Sequence, residues 1–245
     1  MATAEDPAGA GPLLVLWDVD RTLVAIGGGV SQETWALAFH RVTGRRPTEF
    51  PDMSGRTDRA IVADVLRLNG IASSEPLVAA VYTALADAAE EYAPRMREVG
   101  TVLPGARETV AALAAGGTVQ TLVTGNLRPI ARAKLAACDL TAHLDLSVGG
   151  YGADGTDRAD LVRRARERAT AAYGAPFAGS RTIVIGDTPH DIRGAHDAGA
   201  LAIAVATGRS PAPELAAADL VLPDLTHHAA AWPGFLAARG LAHLA

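Results

Sequence analysis

Short runs that are mostly apolar throughout, each followed by a loop with polar groups, constrain this chain more than any other feature. Residues 13–17 read LLVLW and run straight into Asp18 and Asp20. Residues 118–123 (TVQTLV), 144–148 (LDLSV), 181–186 (RTIVIG), 201–206 (LAIAVA) and 219–222 (DLVL) repeat the pattern. Most of these runs do not alternate apolar with polar, so the strands they predict are covered on both faces. Helical patterns fall between the later runs, at 106–115, 127–137, 158–172 and 189–198. Strand and helix in alternation predict an α/β fold, a doubly wound, Rossmann-like parallel sheet with helices on both sides. Hydrophobic residues are 49% of the chain and aromatics only 4%, so the core must be built from aliphatic side chains.

Residues 31 to about 98 break the alternation. Ser31 is placed to cap a helix carrying Trp35, Ala38, Phe39 and Val42, with Gly44 as its stop. Thr57 is placed to cap a second, with Ile61, Val62, Val65 and Leu66, stopped by Gly70. A third starts near Ser74 with Pro76 in its first turn. The pattern divides the chain into a core of residues 1–26 and 101–245 and a helical cap of residues 27–100. GGG at 27–29 and GTVLPG at 100–105 are the two junctions, a natural hinge.

In a parallel sheet, ligands bind beyond the carboxyl ends of the strands. Asp18 and Asp20 follow the first run, Thr124, Gly125 and Asn126 the second, and Asp187 and Asp191 the RTIVIG run. Four carboxylates on one edge repel one another, and a divalent cation relieves the repulsion. Hard oxygen ligands without Cys or His suit Mg2+. Thr124 and the amides after it are placed to form a phosphate cradle at a helix start. These residue types suit attack by a carboxylate on phosphorus, with a second carboxyl moving the proton.

DVDRT at 18–22, LVTGN at 122–126 and GDTPHD at 186–191, in that order and each ending an expected strand, resemble the haloacid dehalogenase superfamily. The resemblance is to its phosphatase branch with a helical cap, phosphoglycolate phosphatase-like, and covers the whole chain. It implies that Asp18 is the nucleophile that forms an aspartyl-phosphate and that Asp20 is the general acid, then base. It implies that Asp18, the main-chain carbonyl of Asp20 and Asp187 hold Mg2+, with Asp191 in support, and that Thr124 binds the phosphoryl group. A small phosphorylated metabolite is the implied substrate. Asp20 argues against dehalogenation, and a cap without lysine argues against phosphonate cleavage.

The family's third motif is usually lysine, and none stands at the expected place. The one lysine, Lys134, falls in mid-helix about two turns, or roughly 11 Å, from the end facing the site, and is expected to lie outside it. Arg158, opening the helix before the Asp187 motif, is expected to supply the cation and to pair with Asp18 or Asp191, with Asp157 as helix cap. Arg21 stands where the family usually has glycine, adding a cation beside the carboxylates. Arg56, in SGRTD at 54–58, is placed to touch substrate from the cap.

Three alternatives are weighed: a sugar-phosphate mutase of the same fold, a catalytically inactive binding protein, and a NAD-dependent oxidoreductase. The last is suggested by GYGADG at 150–155, but no acid follows about 20 residues on. The net charge of −5 argues against nucleic-acid or anionic-membrane partners. One cysteine, Cys138, excludes an internal disulfide. The first twelve residues lack the apolar core of a secretory leader, predicting a soluble, cytoplasmic protein. Arginine in place of lysine, with abundant alanine, suggests a GC-rich bacterial genome. The sequence does not specify an oligomeric state.

Overall fold

A computed structural model describes residues 11–244. Strands β1 (Leu14–Trp17), β4 (Val119–Leu122), β5 (Thr182–Gly186), β6 (Leu201–Val205) and β7 (Leu220–Leu222) form a parallel sheet in the order β4-β1-β5-β6-β7. The register places Leu14 beside both Val119 and Thr182, and Trp17 beside Leu122 and Ile185. β1 is therefore central, and its carboxyl end opens between those of β4 and β5. The expected doubly wound α/β architecture is present.

Both faces of the sheet are covered. Val15 and Trp17 belong to one apolar cluster, and Leu14 and Leu16 to the other. Ile183 and Ile185 share the first cluster while Val184 faces the second. Helices α4 (Ala106–Ala115) and α8 (His228–Ala237) pack in the first cluster, and α6 (Arg158–Tyr173) and α7 (Pro189–Asp197) in the second. A buried amide beside β1 is satisfied: Trp17 Nε1 donates to Gln120 Oε1 (3.0 Å), and Gln120 Nε2 to the Val110 carbonyl (2.9 Å). α5 (Arg128–Ala137) follows β4 and faces both ways, its Ala131 and Leu135 toward the sheet and Leu127 and Ile130 toward the inserted helices.

The insertion consists of α1 (Val30–Thr43), α2 (Asp58–Leu68) and α3 (Glu75–Val99), which share a third cluster around Trp35, Phe39, Val62, Leu66 and Leu85. Thr57 and Ser74 cap α2 and α3 as expected, their side chains accepting from Ala60 N and Leu77 N. Ser31 does not cap α1: Gly29, left-handed at φ 72°, precedes the helix and Ser31 lies within it. A side chain at that φ is strained, so glycine starts the helix where a hydroxyl was expected to.

Two further expectations are corrected. Residues 144–148 form no strand. The Asp145 carboxylate accepts from Ser147 N (2.9 Å) and Ser147 Oγ, a local turn that competes with the ladder. Conversely, the chain entering and leaving the insertion is not bare linker. β2 (Val24–Ile26) and β3 (Gly100–Val102) pair antiparallel, Ile26 opposite Gly100, so the two legs are joined. Among the described residues, no helix is long and apolar enough to cross a membrane.

Candidate active site

The loops after β1, β4 and β5 meet over one cavity of about 670 Å³, as the strand order requires. Asp18, Asp187 and Asp191 bring carboxylate oxygens within 4.8 Å of one another, and all three are buried. Burial, the Asp191 charge and other neighbours push the Asp18 carboxyl well above its ordinary range, against the opposing pull of Arg158. Burial and Asp191 likewise raise Asp187 to about 7. Such a set is under electrostatic stress without a cation, and its donors are all hard oxygens. Room for two of these carboxylates is made by glycines: a Cβ at Gly208 would stand 1.7 Å from Asp187 Oδ2, and one at Gly186 2.3 Å from Asp191 Cγ.

Arg158 stands where the sequence placed it, buried at the first turn of α6. It lies 3.3 Å from Asp18 Oδ1 through Nη1 and 3.3 Å from Asp191 Oδ1 through Nη2. Asp157 caps its helix by accepting from Ala159 N (3.0 Å). Asp191 also closes a capping box with Thr188 at the start of α7. Its Oδ1 makes no hydrogen bond and faces Arg158.

Lys134 is not outside the site. Its ammonium donates to both oxygens of Asp20 (2.8 and 2.6 Å) and to Asn126 Oδ1 (2.8 Å). The axial estimate failed because side chains on a helix tilt toward its N-terminus, and a lysyl chain adds its own length in that direction. Burial raises the Asp20 carboxyl, but the charge and bonds of Lys134, the Asn126 amide and the charge of Arg21 outweigh it, and the net effect is a lowered value. The Asp20 side chain is absent from the three-carboxylate group.

Thr124 is fully buried, and its Oγ1 accepts from Asn126 Nδ2 (2.8 Å) and Asn126 N (3.3 Å). The cradle is narrower than expected, because Leu127 N is taken by Asp58 Oδ2 (2.6 Å) from α2. Asp58 N in turn donates to the Gly125 carbonyl (2.6 Å), and Arg59 N to that of Gly152 (3.3 Å). A Cβ on Gly125 would stand 2.0 Å from the Arg56 carbonyl. Arg56 lines the cavity, but its guanidinium is engaged by Asp64 Oδ2 (2.7 Å) and the Asp52 carbonyl (3.2 Å). Arg21 also lines the cavity, exposed and left-handed at φ 66°, the conformation that glycine adopts without strain. The glycines of 150–155 are committed to packing. A Cβ at Gly150 would meet the Leu161 carbonyl at 2.1 Å and one at Gly152 the Gly125 carbonyl at 1.9 Å.

Asp58 was not singled out by the sequence beyond its place in SGRTD. Burial raises its carboxyl to about 7, against the Leu127 amide and Lys134. A carboxyl raised on folding contributes stability that is fully present below its unfolded value near 3.8 and is lost as pH rises through about 7. The metal-free protein should therefore melt several degrees lower at pH 8 than at pH 5. Asp58→Asn, which can still accept from Leu127, should flatten part of that fall. Thermal melts across pH test this, and an unchanged slope in the variant would refute it.

Proteins of similar sequence and fold are known. The family described as haloacid dehalogenase-like hydrolase matches residues 15–196. A protein of Dickeya dadantii (strain 3937) named "Probable phosphatase IndB" is 30% identical over 220 residues, 84% of this chain and 86% of that one. Among solved structures, a hydrolase from Pseudomonas syringae superposes with a TM-score of 0.64 at 19% identity, covering 91% of this chain and 98% of its own. CbbY from Rhodobacter sphaeroides, solved in complex with phosphate, gives a TM-score of 0.65 at 18% identity, covering 89% and 96%.

Proposed function

The chain belongs to the haloacid dehalogenase-like hydrolase family, and we propose that it is a magnesium-dependent hydrolase of phosphomonoesters that works through an aspartyl-phosphate on Asp18. The observation that carries this reading is the convergence of Asp18, Asp187 and Asp191 on one buried point beside Arg158 and Thr124. The substrate class we infer is a small phosphorylated metabolite, in keeping with a cavity of about 670 Å³.

The residues suit Mg2+: three buried carboxylates supply hard oxygens, one of which, Asp191 Oδ1, accepts no hydrogen bond. Asp18 and Asp187, with the Asp20 carbonyl, would hold the ion, and Asp191 would support it. Bound there, it offsets the charge of the phosphoryl group and the carboxylates. The rest falls to the chain's own side chains. Asp18 attacks phosphorus, and the electron pair of the broken P–O bond leaves with the alcohol oxygen, which takes a proton from Asp20. Arg158 offers a fixed cation beside Asp18. The Thr124 hydroxyl and the amide of Gly125 face the transferred group.

Residues 27–100 are proposed as a cap that closes over the cavity on the paired β2–β3 legs. The main-chain bonds from Asp58 and Arg59 to the carbonyls of Gly125 and Gly152 support a closed arrangement.

The test is release of inorganic phosphate from p-nitrophenyl phosphate and from a panel of phosphorylated metabolites. Turnover should vanish in EDTA and return on adding MgCl2. Phosphate release that survives EDTA would refute the metal dependence. Isomerisation of a sugar phosphate without phosphate release would point to a mutase, and absence of any phosphoenzyme to a binding protein.

A further inference from the structure

Burying an ammonium is costly unless its bonds are made elsewhere. The Lys134 side chain is only 7% exposed, and its three recorded bonds go to Asp20 Oδ1, Asp20 Oδ2 and Asn126 Oδ1. Those account for the three donors an ammonium has. Asn126 is turned by the same contact, so that its Nδ2 donates to Asp20 Oδ2 (2.7 Å) and to Thr124 Oγ1 (2.8 Å). Asp20 is thus held from behind by Lys134 and Asn126, while 42% of its side chain remains exposed at the cavity.

We propose that Lys134 is a positioning residue for proton transfer, clamping the Asp20 carboxylate through both oxygens so that it faces the water that hydrolyses the phosphoenzyme. This deepens the phosphatase reading and rests on it. A carboxylate offers about four acceptor sites. Three are taken by Lys134 and Asn126, which leaves one aimed at solvent in the cavity. In the step concerned, the water oxygen bonds to phosphorus as its proton passes to Asp20. The bond from phosphorus to the Asp18 oxygen breaks, and its electron pair restores the Asp18 carboxylate. Inorganic phosphate leaves. The bonds of Lys134 to both oxygens hold Asp20 in place, and their direction keeps the free lone pair on the water.

The experiment uses p-nitrophenyl phosphate with MgCl2, because p-nitrophenolate leaves without needing an acid. A defect in Asp20 then falls on the second step alone. Lys134→Met keeps the volume of the buried chain and removes the charge. Its steady-state rate should drop by ~100-fold or more, the scale of a lost acid–base group. A burst of about one p-nitrophenol per site, with trapped phosphoenzyme, should precede it. Lys134→Gln, which keeps a donor at the same place, is measured beside it should the methionine variant fail to fold. Asp20→Asn should show the same burst. Adding the Lys134 substitution to Asp20→Asn should change its rate by no more than about twofold, since a residue acting through another is non-additive with it. A purely structural lysine would instead give additive losses and no burst, and either result overturns the proposal. If the wild-type enzyme forms no phosphoenzyme at all, the phosphatase reading fails and this inference with it. If the wild type forms one and the Lys134 variants hydrolyse it at the normal rate, only this inference falls.

Discussion

Asp18→Asn is expected to yield a folded protein with turnover reduced on the order of a millionfold, the scale of losing a nucleophile that acts within a catalytic unit. An amide is close in size and shape to a carboxylate but cannot form an acyl-phosphate. The fold should not suffer. Asp18 is buried against Asp191 and Asp187, and burial with their charges already pushes its carboxyl up. Removing one negative charge from that group relieves repulsion in the metal-free protein. The melting temperature without magnesium should therefore hold or rise while phosphate release and the trapped phosphoenzyme both disappear. Residual turnover within a hundredfold of wild type would mean that another residue attacks phosphorus.

Arg158→Ala carries the second largest effect. The guanidinium sits between Asp18 and Asp191, each 3.3 Å away, and Nη1 also donates to the Val123 carbonyl (3.3 Å). Nη2 reaches the Gly55 carbonyl on the inserted segment (3.4 Å). Its removal leaves two buried carboxylates facing each other without a cation, and the phosphoryl oxygens without a fixed positive partner. Turnover should fall by roughly 100- to 1000-fold, as when one preorganised donor to a developing charge is lost. Stability should fall as well, so Arg158→Lys is the control. It restores charge but not the planar fork, and should recover the fold more completely than the rate. Steady-state kinetics with p-nitrophenyl phosphate and thermal melts measure both quantities. Arg158→Ala within a few-fold of wild type would place the fixed cation elsewhere, with Lys134 the next candidate.

Much of this molecule could be read from residue order. Apolar runs without alternation announced a sheet covered on both faces, and β1, β5 and β6 are divided between the two apolar clusters in just that way. The polar residues that follow those runs meet at one edge, because parallel strands present their carboxyl ends together. Thr57, Ser74 and Asp157 cap their helices, since capping is decided by three or four consecutive residues. Arg158 could be placed for a similar reason: it opens a helix, and the direction of a helix start is fixed by its cap.

Other features depended on contacts that no local pattern encodes. Residues 144–148 are apolar enough for a strand, yet Asp145 turns them through its own side chain beside β4. β2 and β3 are three residues each and separated by the whole insertion, so neither is legible without the other. Asp58 looks like an ordinary first-turn acid on α2. Only the approach of α2 to α5 makes its carboxylate the partner of Leu127 N, and only there does burial raise it. Lys134 is the sharpest case. Its position along α5 is a matter of sequence, but its function depends on which way the side chain runs and on where the β1 loop lies beside the helix. Helical periodicity specifies a residue's face and height. Whether a long flexible side chain on that face meets a carboxylate more than a hundred residues earlier in the chain is determined by how the elements pack, because the bond forms across space between groups that share no local segment.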